Sequence, residues 1–219
     1  MAELSNASGV PVATIKYYQR EGLVPPGVKT GLNQVSYADV HAQRLRLIRA
    51  LLDVGRLSVT SIRAVLAAID TDQPLLYAFD VAQRALSEPL TAADVDPESL
   101  AAIDGVMAGW RVSAENPGRL AAARVLHVFG DAGQNDEAGW FTRYAAAALM
   151  AASADLDEVD ARESREAKAE IVVIGTTLGD ALFSGLRRAA QEHVASQRYP
   201  APPYPTTPTS TGNIPAKES

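Results

Sequence analysis

The chain of 219 residues is long enough for one large domain or two small ones, and its 47% apolar and 21% charged residues are typical of a globular protein. It contains no cysteine, which excludes disulfides, thiolate metal sites, iron–sulfur clusters and cysteine nucleophiles from this sequence. The net charge of −6 is unevenly distributed, because residues 1–70 hold eight basic and five acidic side chains and so carry a net charge of +3. A basic N-terminal part on an acidic body indicates an anionic partner for the smaller part.

Two short helices are predicted at the N-terminus, over residues 2–8 and 11–21. A glycine follows each of them, and glycine commonly ends a helix because it tolerates a left-handed backbone. The connection Ser8-Gly9-Val10 has the length of the turn in a helix-turn-helix. The pair of helices is therefore predicted to form that motif.

A turn-rich segment follows the second helix. Residues 24–31 contain two prolines and two glycines, so a helix is excluded there. Val28 and Lys29 are expected to pair with residues 34–36 in a short β-hairpin around Gly31 and Asn33.

The remaining helices are delimited by capping residues. Ser36 with Asp39 is expected to cap the next helix, Ser58 the one after it, and Asp155 with Glu158 the longest. Two further starts, Asp96-Pro97 and Asn116-Pro117, combine a cap residue with proline at the first helical position. These signals predict helices over approximately residues 37–54, 58–69, 75–87, 97–110, 117–130, 137–153 and 157–197.

The fold class that follows is mainly α, with four segments. Residues 1–70 are predicted as a winged helix-turn-helix with a short β-hairpin wing, and residues 90–198 as an all-helical C-terminal domain that binds an effector or a partner. Residues 71–89 form a short linking helix that is also a candidate for dimerisation. Residues 199–219 contain six of the thirteen prolines and are expected to be a disordered tail.

The second helix presents an unusual set of side chains. Ile15 and Tyr18 are expected to face the core, whereas Thr14, Lys16, Tyr17 and Arg20 face outward. A hydroxyl, an ammonium, a phenol and a guanidinium on one surface are donors suited to phosphates and base edges. Lys29 in the adjacent turn would supply a second contact to the DNA backbone.

Two runs, Thr14-Ile15-Lys16-Tyr17-Tyr18 and Gln19-Arg20-Glu21-Gly22-Leu23, with Ser8-Gly9-Val10 before them, resemble the N-terminus of the MerR family of transcriptional regulators. The resemblance continues through Tyr37 and Leu45-Arg46-Leu47-Ile48-Arg49 to Leu66, about a third of the chain. It adds three DNA contacts to those above, and the full predicted set is Thr14, Lys16, Tyr17, Tyr18, Arg20, Lys29, Tyr37 and Arg49.

The resemblance implies a homodimer that binds double-stranded promoter DNA, bends and untwists it, and so acts indirectly on RNA polymerase. Three features depart from the family pattern. The wing arginine is missing, and Lys29 or Arg44 is a candidate substitute. The family's metal and oxidant sensors use cysteines, which this sequence lacks, and Pro89 cuts the candidate dimerisation helix at about twelve residues.

The helical C-terminal part is the expected sensing half. Its aromatic residues Trp110, Trp140 and Tyr144 are candidates for lining a pocket for a small organic effector, although such residues are more often ordinary core residues. The three histidines are isolated in the sequence, so neither a metal site nor a cofactor is expected. No catalytic constellation stands out, which argues against an enzyme.

Two interpretations of the whole chain stay open at this point. The first is an effector-responsive regulator, and the alternative is an architectural DNA-binding protein whose helical domain recruits a protein partner. No apolar run reaches the ~18 residues of a membrane-spanning helix and no signal peptide is visible, so a cytoplasmic protein without a membrane partner is expected.

Overall fold

In the computed structural model, the structure describes residues 1–30 and 35–199 of the chain. These residues form nine α-helices, one 3₁₀ turn and two short strands, as the mainly α prediction requires. In chain order they are α1 Ala2–Ser8, α2 Val12–Arg20, β1 Val28–Lys29, β2 Val35–Ser36, α3 Asp39–Asp53, α4 Val59–Ile69, α5 Leu75–Leu86, the 3₁₀ turn Ala92–Asp94, α6 Pro97–Val106, α7 Pro117–Asp131, α8 Trp140–Asp160 and α9 Arg165–Arg198.

The N-terminal elements form the predicted helix-turn-helix and hairpin. Gly9 and Gly22 have φ angles of 68° and 72°, the left-handed conformation expected after α1 and α2. Strands β1 and β2 are antiparallel, with Val28 opposite Ser36. The predicted hairpin turn at Gly31 and Asn33 and the predicted tail beyond Tyr199 lie outside the described residues.

Three of the predicted caps are confirmed. The Ser58 hydroxyl accepts a hydrogen bond from the Ser61 N–H at 3.0 Å, at the start of α4. Asp96 accepts from the Ser99 N–H at 2.8 Å, and Asn116 from the Arg119 N–H at 3.0 Å, each just before a proline. These caps satisfy backbone donors that have no partner within the helix.

Two predicted boundaries are wrong. Ser36 does not cap α3, because it is paired in β2, and Ala38 takes that place and donates its N–H to Nδ1 of His41 at 3.2 Å. The helix predicted over 97–110 ends at Val106, and Gly109, with φ of 87°, turns the chain away from it. Trp110 therefore lies in a loop.

The C-terminal helices also differ from the prediction. Helix α8 continues to Asp160, so Asp155 and Glu158 lie inside it and cap nothing. The N-cap of α8 is Gly139, and the carboxylate of Asp136 before it accepts from the N–H groups of Trp140 and Phe141. Residues 161–164 separate α8 from α9. The Ser164 hydroxyl accepts a hydrogen bond from the N–H of Ala167 at 3.1 Å, in the first turn of α9.

The main hydrophobic core joins distant parts of the sequence. It contains buried residues of α1 to α5 together with Val159, Ala169, Val172 and Val173 from α8 and α9. A second, smaller core holds α6 and α7 together through Ile103 and Leu120. The separate roles predicted for residues 1–70 and 90–198 stay a prediction, but parts of α8 and α9 pack into the core of residues 1–70.

Arg165, in the first turn of α9, reinforces this connection. Its guanidinium donates to the carbonyl of Ile69 at 2.7 Å and to that of Gln73 at 2.6 Å. Ile69 is the last residue of α4, and the carbonyl groups of the last turn of a helix have no partner inside the helix. A cation at this end also interacts favourably with the helix dipole, so Arg165 fastens α9 to the helix-turn-helix domain.

The chain divides into two compact units, residues 1–181 and 182–219. In the second unit, the C-terminal part of α9 exposes Leu182, Phe183, Leu186 and Val194. Helix α9 is also long and apolar enough to cross a membrane by length and composition, contrary to the expectation from the sequence. This is weak evidence for a membrane span, because a core helix passes the same test, and Ala169, Val172 and Val173 are core residues.

Candidate nucleic-acid interface

Helix α2 separates its core side chains from its polar ones. Ile15 is fully buried and Tyr18 is 7% exposed, while Lys16, Tyr17 and Arg20 are exposed. Thr14 is half-buried. The structure therefore leaves Lys16, Tyr17 and Arg20 accessible, as predicted, whereas Thr14 is partly and Tyr18 almost wholly covered.

Tyr18 belongs to the core that supports the helix. Removal from water, and after it the negative charge of Asp53, raises the pKa of its hydroxyl, with Arg49 acting in the opposite sense. The phenol is thus a neutral donor at physiological pH. Its role as a DNA contact stays a prediction, and its burial favours a supporting role.

Tyr37 connects helix α2 to the wing. Its hydroxyl accepts a hydrogen bond from Nε2 of Gln19 on α2 at 3.4 Å, and its ring meets that of His41 edge-on at 5.3 Å. Gln19 was not among the predicted site residues. These contacts fix the wing relative to α2, so both surfaces can meet one duplex.

The wing is a two-stranded hairpin with all four paired residues exposed. Lys29 is on β1, as predicted for a contact to the DNA backbone. Gly27 immediately precedes this strand, and a Cβ atom there would lie 2.6 Å from the carbonyl oxygen of Ser36 and 2.5 Å from Cγ1 of Val35. Only glycine fits such a close approach of two backbone segments.

We expect Gly27→Ala to displace the wing, since the Ser36 carbonyl cannot move without disturbing the strand pairing. Overpacking of this kind costs about 1–3 kcal/mol in the free energy of unfolding, and DNA binding should weaken as well. The matched control is Gly105→Ala in α6, where no atom lies within 4 Å of the added Cβ and stability should rise by about 0.5–1 kcal/mol. Chemical denaturation compares the two variants. Wild-type stability and DNA affinity in Gly27→Ala would contradict this account of the wing.

Ion pairs neutralise part of the charge of residues 1–70. Each of these pairs joins an arginine to a carboxylate, so that arginine already has a partner within the domain. The pairs are Arg44 with Asp70, Arg49 with Asp53 at 3.6 Å, and Arg63 with Glu21 at 2.7 Å.

The cations that remain are concentrated where DNA contacts are predicted. Two are on α2, one is on the wing, one is on α3 beside the turn of the helix-turn-helix, and one is in the loop after α3. The basic residues of this segment without an ion pair among the described residues are Lys16, Arg20, Lys29, Arg46 and Arg56.

Helix α3 contributes arginines at the turn between α1 and α2. Arg46 donates to the carbonyl of Ala7 at 3.0 Å, and Arg49 to that of Gly9 at 3.3 Å. Arg46 was not among the predicted DNA contacts, although it lies three residues before Arg49 and therefore on the same face of the helix. Arg44 is not a substitute for the missing wing arginine, because it is bonded to Asp70 and to the carbonyl of Leu23.

The three aromatic residues proposed for an effector pocket do not form one group. Trp140 and Tyr144 pack edge-on with centroids 4.9 Å apart, and Phe129 joins Trp140 at 5.5 Å. Trp110 is half-buried and lies apart from this cluster, in a pocket of about 370 Å³ shared with Arg119. Their role in effector binding stays a prediction.

Comparison with known proteins identifies the N-terminal part. Residues 1–69 match the family model for MerR HTH family regulatory proteins. Over 67 residues the chain is 39% identical to the HTH-type transcriptional regulator HmrR of Sinorhizobium medicae and 36% identical to heavy metal-dependent transcription regulator 2 of Rhizobium meliloti. Each match covers 31% of this chain and 45% of the relative, so the chain spans less than half the length of these curated relatives.

A solved structure resembles nearly the whole chain. The crystal structure of SCO5550 from Streptomyces coelicolor A3(2), a candidate transcriptional regulator, is 29% identical in sequence, with a TM-score of 0.68. The match covers 93% of this chain and 99% of that one. Residues 1–69 therefore match the MerR family of helix-turn-helix regulatory proteins, as the N-terminal sequence predicts.

Proposed function

We propose that the protein is a sequence-specific transcription regulator that binds promoter DNA as a homodimer and responds to an organic effector. The observation that carries the proposal is the exposed surface of Lys16, Tyr17 and Arg20 on α2, held beside the wing by Tyr37 within a MerR-type domain. Phosphate contacts from Lys16, Arg20 and Lys29 would position the domain, and donors at the start of α2 would contact bases. It acts in the cytoplasm, where promoter DNA is accessible.

Binding as a dimer follows from the small size of one recognition surface. A single helix and wing bury too little area for tight specific binding, whereas two copies address two half-sites. The exposed apolar row on α9 is a better candidate for the dimer seam than the linking helix predicted from the sequence, since Leu182 and Leu186 are 64% and 60% exposed there. On α5, Phe79 and Leu75 already pack against the core.

Bending and untwisting of the bound promoter would allow RNA polymerase to engage two promoter elements that are spaced too far apart. The free energy for this deformation comes from the contacts that the bent duplex permits. The effector is proposed to be organic, although one relative bears a name that refers to heavy metal. The absence of cysteine leaves soft metals without their preferred thiolate ligand in this sequence.

The alternative, an architectural protein that recruits a partner, is favoured by the same exposed row on α9, since an apolar face of this kind also suits another protein. Genome-wide mapping of bound sites separates the two functions. A regulator of the proposed type gives a few pseudo-palindromic sites between promoter elements with a long spacer. An architectural protein gives many sites with no spacer preference, and a monomer by sedimentation at micromolar concentration contradicts the dimer.

A further inference from the structure

His41, in the first turn of α3, is a buried polar side chain that is not among the predicted DNA contacts. It is 6% exposed, and its Nε2 atom has no hydrogen-bond partner among the residues that the structure describes. A buried polar atom without a partner lowers stability, and its presence in a folded protein calls for an explanation. An aliphatic side chain would fill this position without that cost, so the imidazole supplies something that such a side chain lacks.

The imidazole contacts both residues that join the wing to α3. Strand β2 ends at Ser36, and Tyr37 and Ala38 lie between it and the helix. Nδ1 of His41 accepts a hydrogen bond from the N–H of Ala38 at 3.2 Å, which fixes the residue before the helix. The ring of His41 meets that of Tyr37 edge-on, with centroids 5.3 Å apart. Aromatic pairs prefer such defined arrangements, so this contact also fixes the orientation of the Tyr37 ring.

Tyr37 in turn contacts both elements that are predicted to bind DNA. Its hydroxyl accepts a hydrogen bond from Nε2 of Gln19 on α2 at 3.4 Å. Its ring lies against the backbone of Gly27, just before β1, since a Cβ atom on Gly27 would come within 2.8 Å of Cε1 of that ring. The position of the Tyr37 ring therefore sets the position of the wing relative to α2.

The wing depends on this support at its base. Each of its strands has two residues, and all four are exposed. A two-stranded hairpin without a packed face is at best marginally stable in water, so the wing does not fix its own orientation. Lys29 is also the one charged residue of the segment 27–36 in the sequence. A displaced wing therefore has no second cation with which to replace a phosphate contact that Lys29 loses.

We propose that His41 is a positioning residue for the wing, and that it holds Lys29 at the DNA backbone by fixing the ring of Tyr37. The inference rests on the DNA-binding function proposed above. His41 is too deeply buried to contact DNA itself, so it acts only through Tyr37. The imidazole is needed because its ring orients Tyr37, whereas an aliphatic side chain of similar size fills the space without offering that ring an aromatic partner.

Two substitutions of His41 separate positioning from packing. His41→Leu keeps an apolar side chain in the core but removes the ring, and His41→Phe keeps a ring beside Tyr37. Both remove the unpartnered Nε2, and water can bond to the N–H of the exposed Ala38, so we expect both variants to keep at least the wild-type melting temperature. In hydrogen exchange on the free protein, peptides that cover β1 and β2 should exchange faster in His41→Leu only.

A double-mutant cycle on the full chain measures the connection to Lys29. The probe is a DNA duplex that the wild-type protein selects from a random library. Lys29→Ala should weaken binding about tenfold, as for one hydrogen bond to a charged group, and should reduce the slope of log affinity against log salt by about 0.9. His41→Leu should cause the same loss, and adding Lys29→Ala to it should have no further effect, because the contact is already absent. His41→Phe should bind as the wild type does and keep its full sensitivity to Lys29→Ala.

The control cycle pairs His41→Leu with Lys16→Ala, and these effects should be additive because Ile15 anchors α2 in the core. Wild-type affinity in either His41→Leu or Lys29→Ala would overturn the proposal. So would additive effects of those two substitutions, or an equal loss of affinity in His41→Phe. Each of these outcomes requires a wild type that binds its selected duplex, and so leaves the proposed function intact. A wild type that selects no duplex refutes the proposed function itself, and the positioning role with it.

Discussion

Replacing Lys16 and Arg20 together with alanine is expected to abolish specific DNA binding at physiological salt while leaving the protein folded. Both side chains are exposed on α2 and neither has an ion pair within the described residues, so their removal costs little stability. Each phosphate contact that is lost should reduce the slope of log affinity against log salt by about 0.9. Two lost contacts therefore give a change that a salt titration on the selected promoter site resolves easily.

The matched control is Arg111→Ala, which removes an exposed cation from the loop after α6. It changes the net charge of the chain in the same direction as each single substitution on α2. If long-range attraction alone explained binding, the control and Lys16→Ala would weaken it similarly. An unchanged slope in Lys16→Ala, or an equal loss in Arg111→Ala, would refute the assignment of α2 as the recognition helix.

The exposure of the polar side chains of α2 was predictable from the sequence because it depends only on helical spacing. Helical spacing separates Ile15 from Lys16 and Arg20 without knowledge of any other element. The caps at Ser58, Asp96 and Asn116 are equally local, since each acts on an N–H group three residues away. Helical spacing and capping residues can be recognised in a single sequence because contacts with distant residues do not alter them.

The hydrogen-bond partners of the arginines on α3 were not predictable in this way. Arg44, Arg46 and Arg49 follow one another along α3, yet one is bonded to Asp70 and the others reach carbonyls of Ala7 and Gly9. These partners are 26 to 40 residues away. Only tertiary structure decides which cation is free for DNA, so composition overstates the number of contacts.

The C-terminal part was predicted least well, for two physical reasons. Asp155 and Glu158 match a capping pattern but lie inside α8, because the preceding alanine-rich segment continues the helix through them. Aromatic residues also draw attention to pockets, whereas a cleft of about 650 Å³ beside Asp180 is walled mainly by aliphatic side chains from three helices. The sequence does not reveal which aliphatic residues leave a space between them.

Because α9 shares a core with α3 and α4, we expect a substitution in α9 to destabilise the protein strongly, although it lies far from the predicted DNA contacts. We expect Val173→Asp to lower the free energy of unfolding by about 4 kcal/mol, because a carboxylate without a partner would be forced into an apolar site. Val173 is completely buried and packs in the same core as α3 and α4, more than 100 residues away in sequence. For a protein of this length the melting temperature should fall by roughly 10 °C.

Hydrogen exchange locates that effect. Peptides from α3 and α4 should exchange faster in Val173→Asp than in the wild type, since opening of α9 exposes their buried face to water. The control Val125→Asp makes the same chemical change in helix α7 at a side chain that is 58% exposed, and should leave both melting temperature and exchange nearly unchanged. If α3 and α4 keep wild-type protection in Val173→Asp, the helix-turn-helix domain is stable without α9. A signal from an effector bound to the C-terminal helices would then have no route through that packing to the DNA.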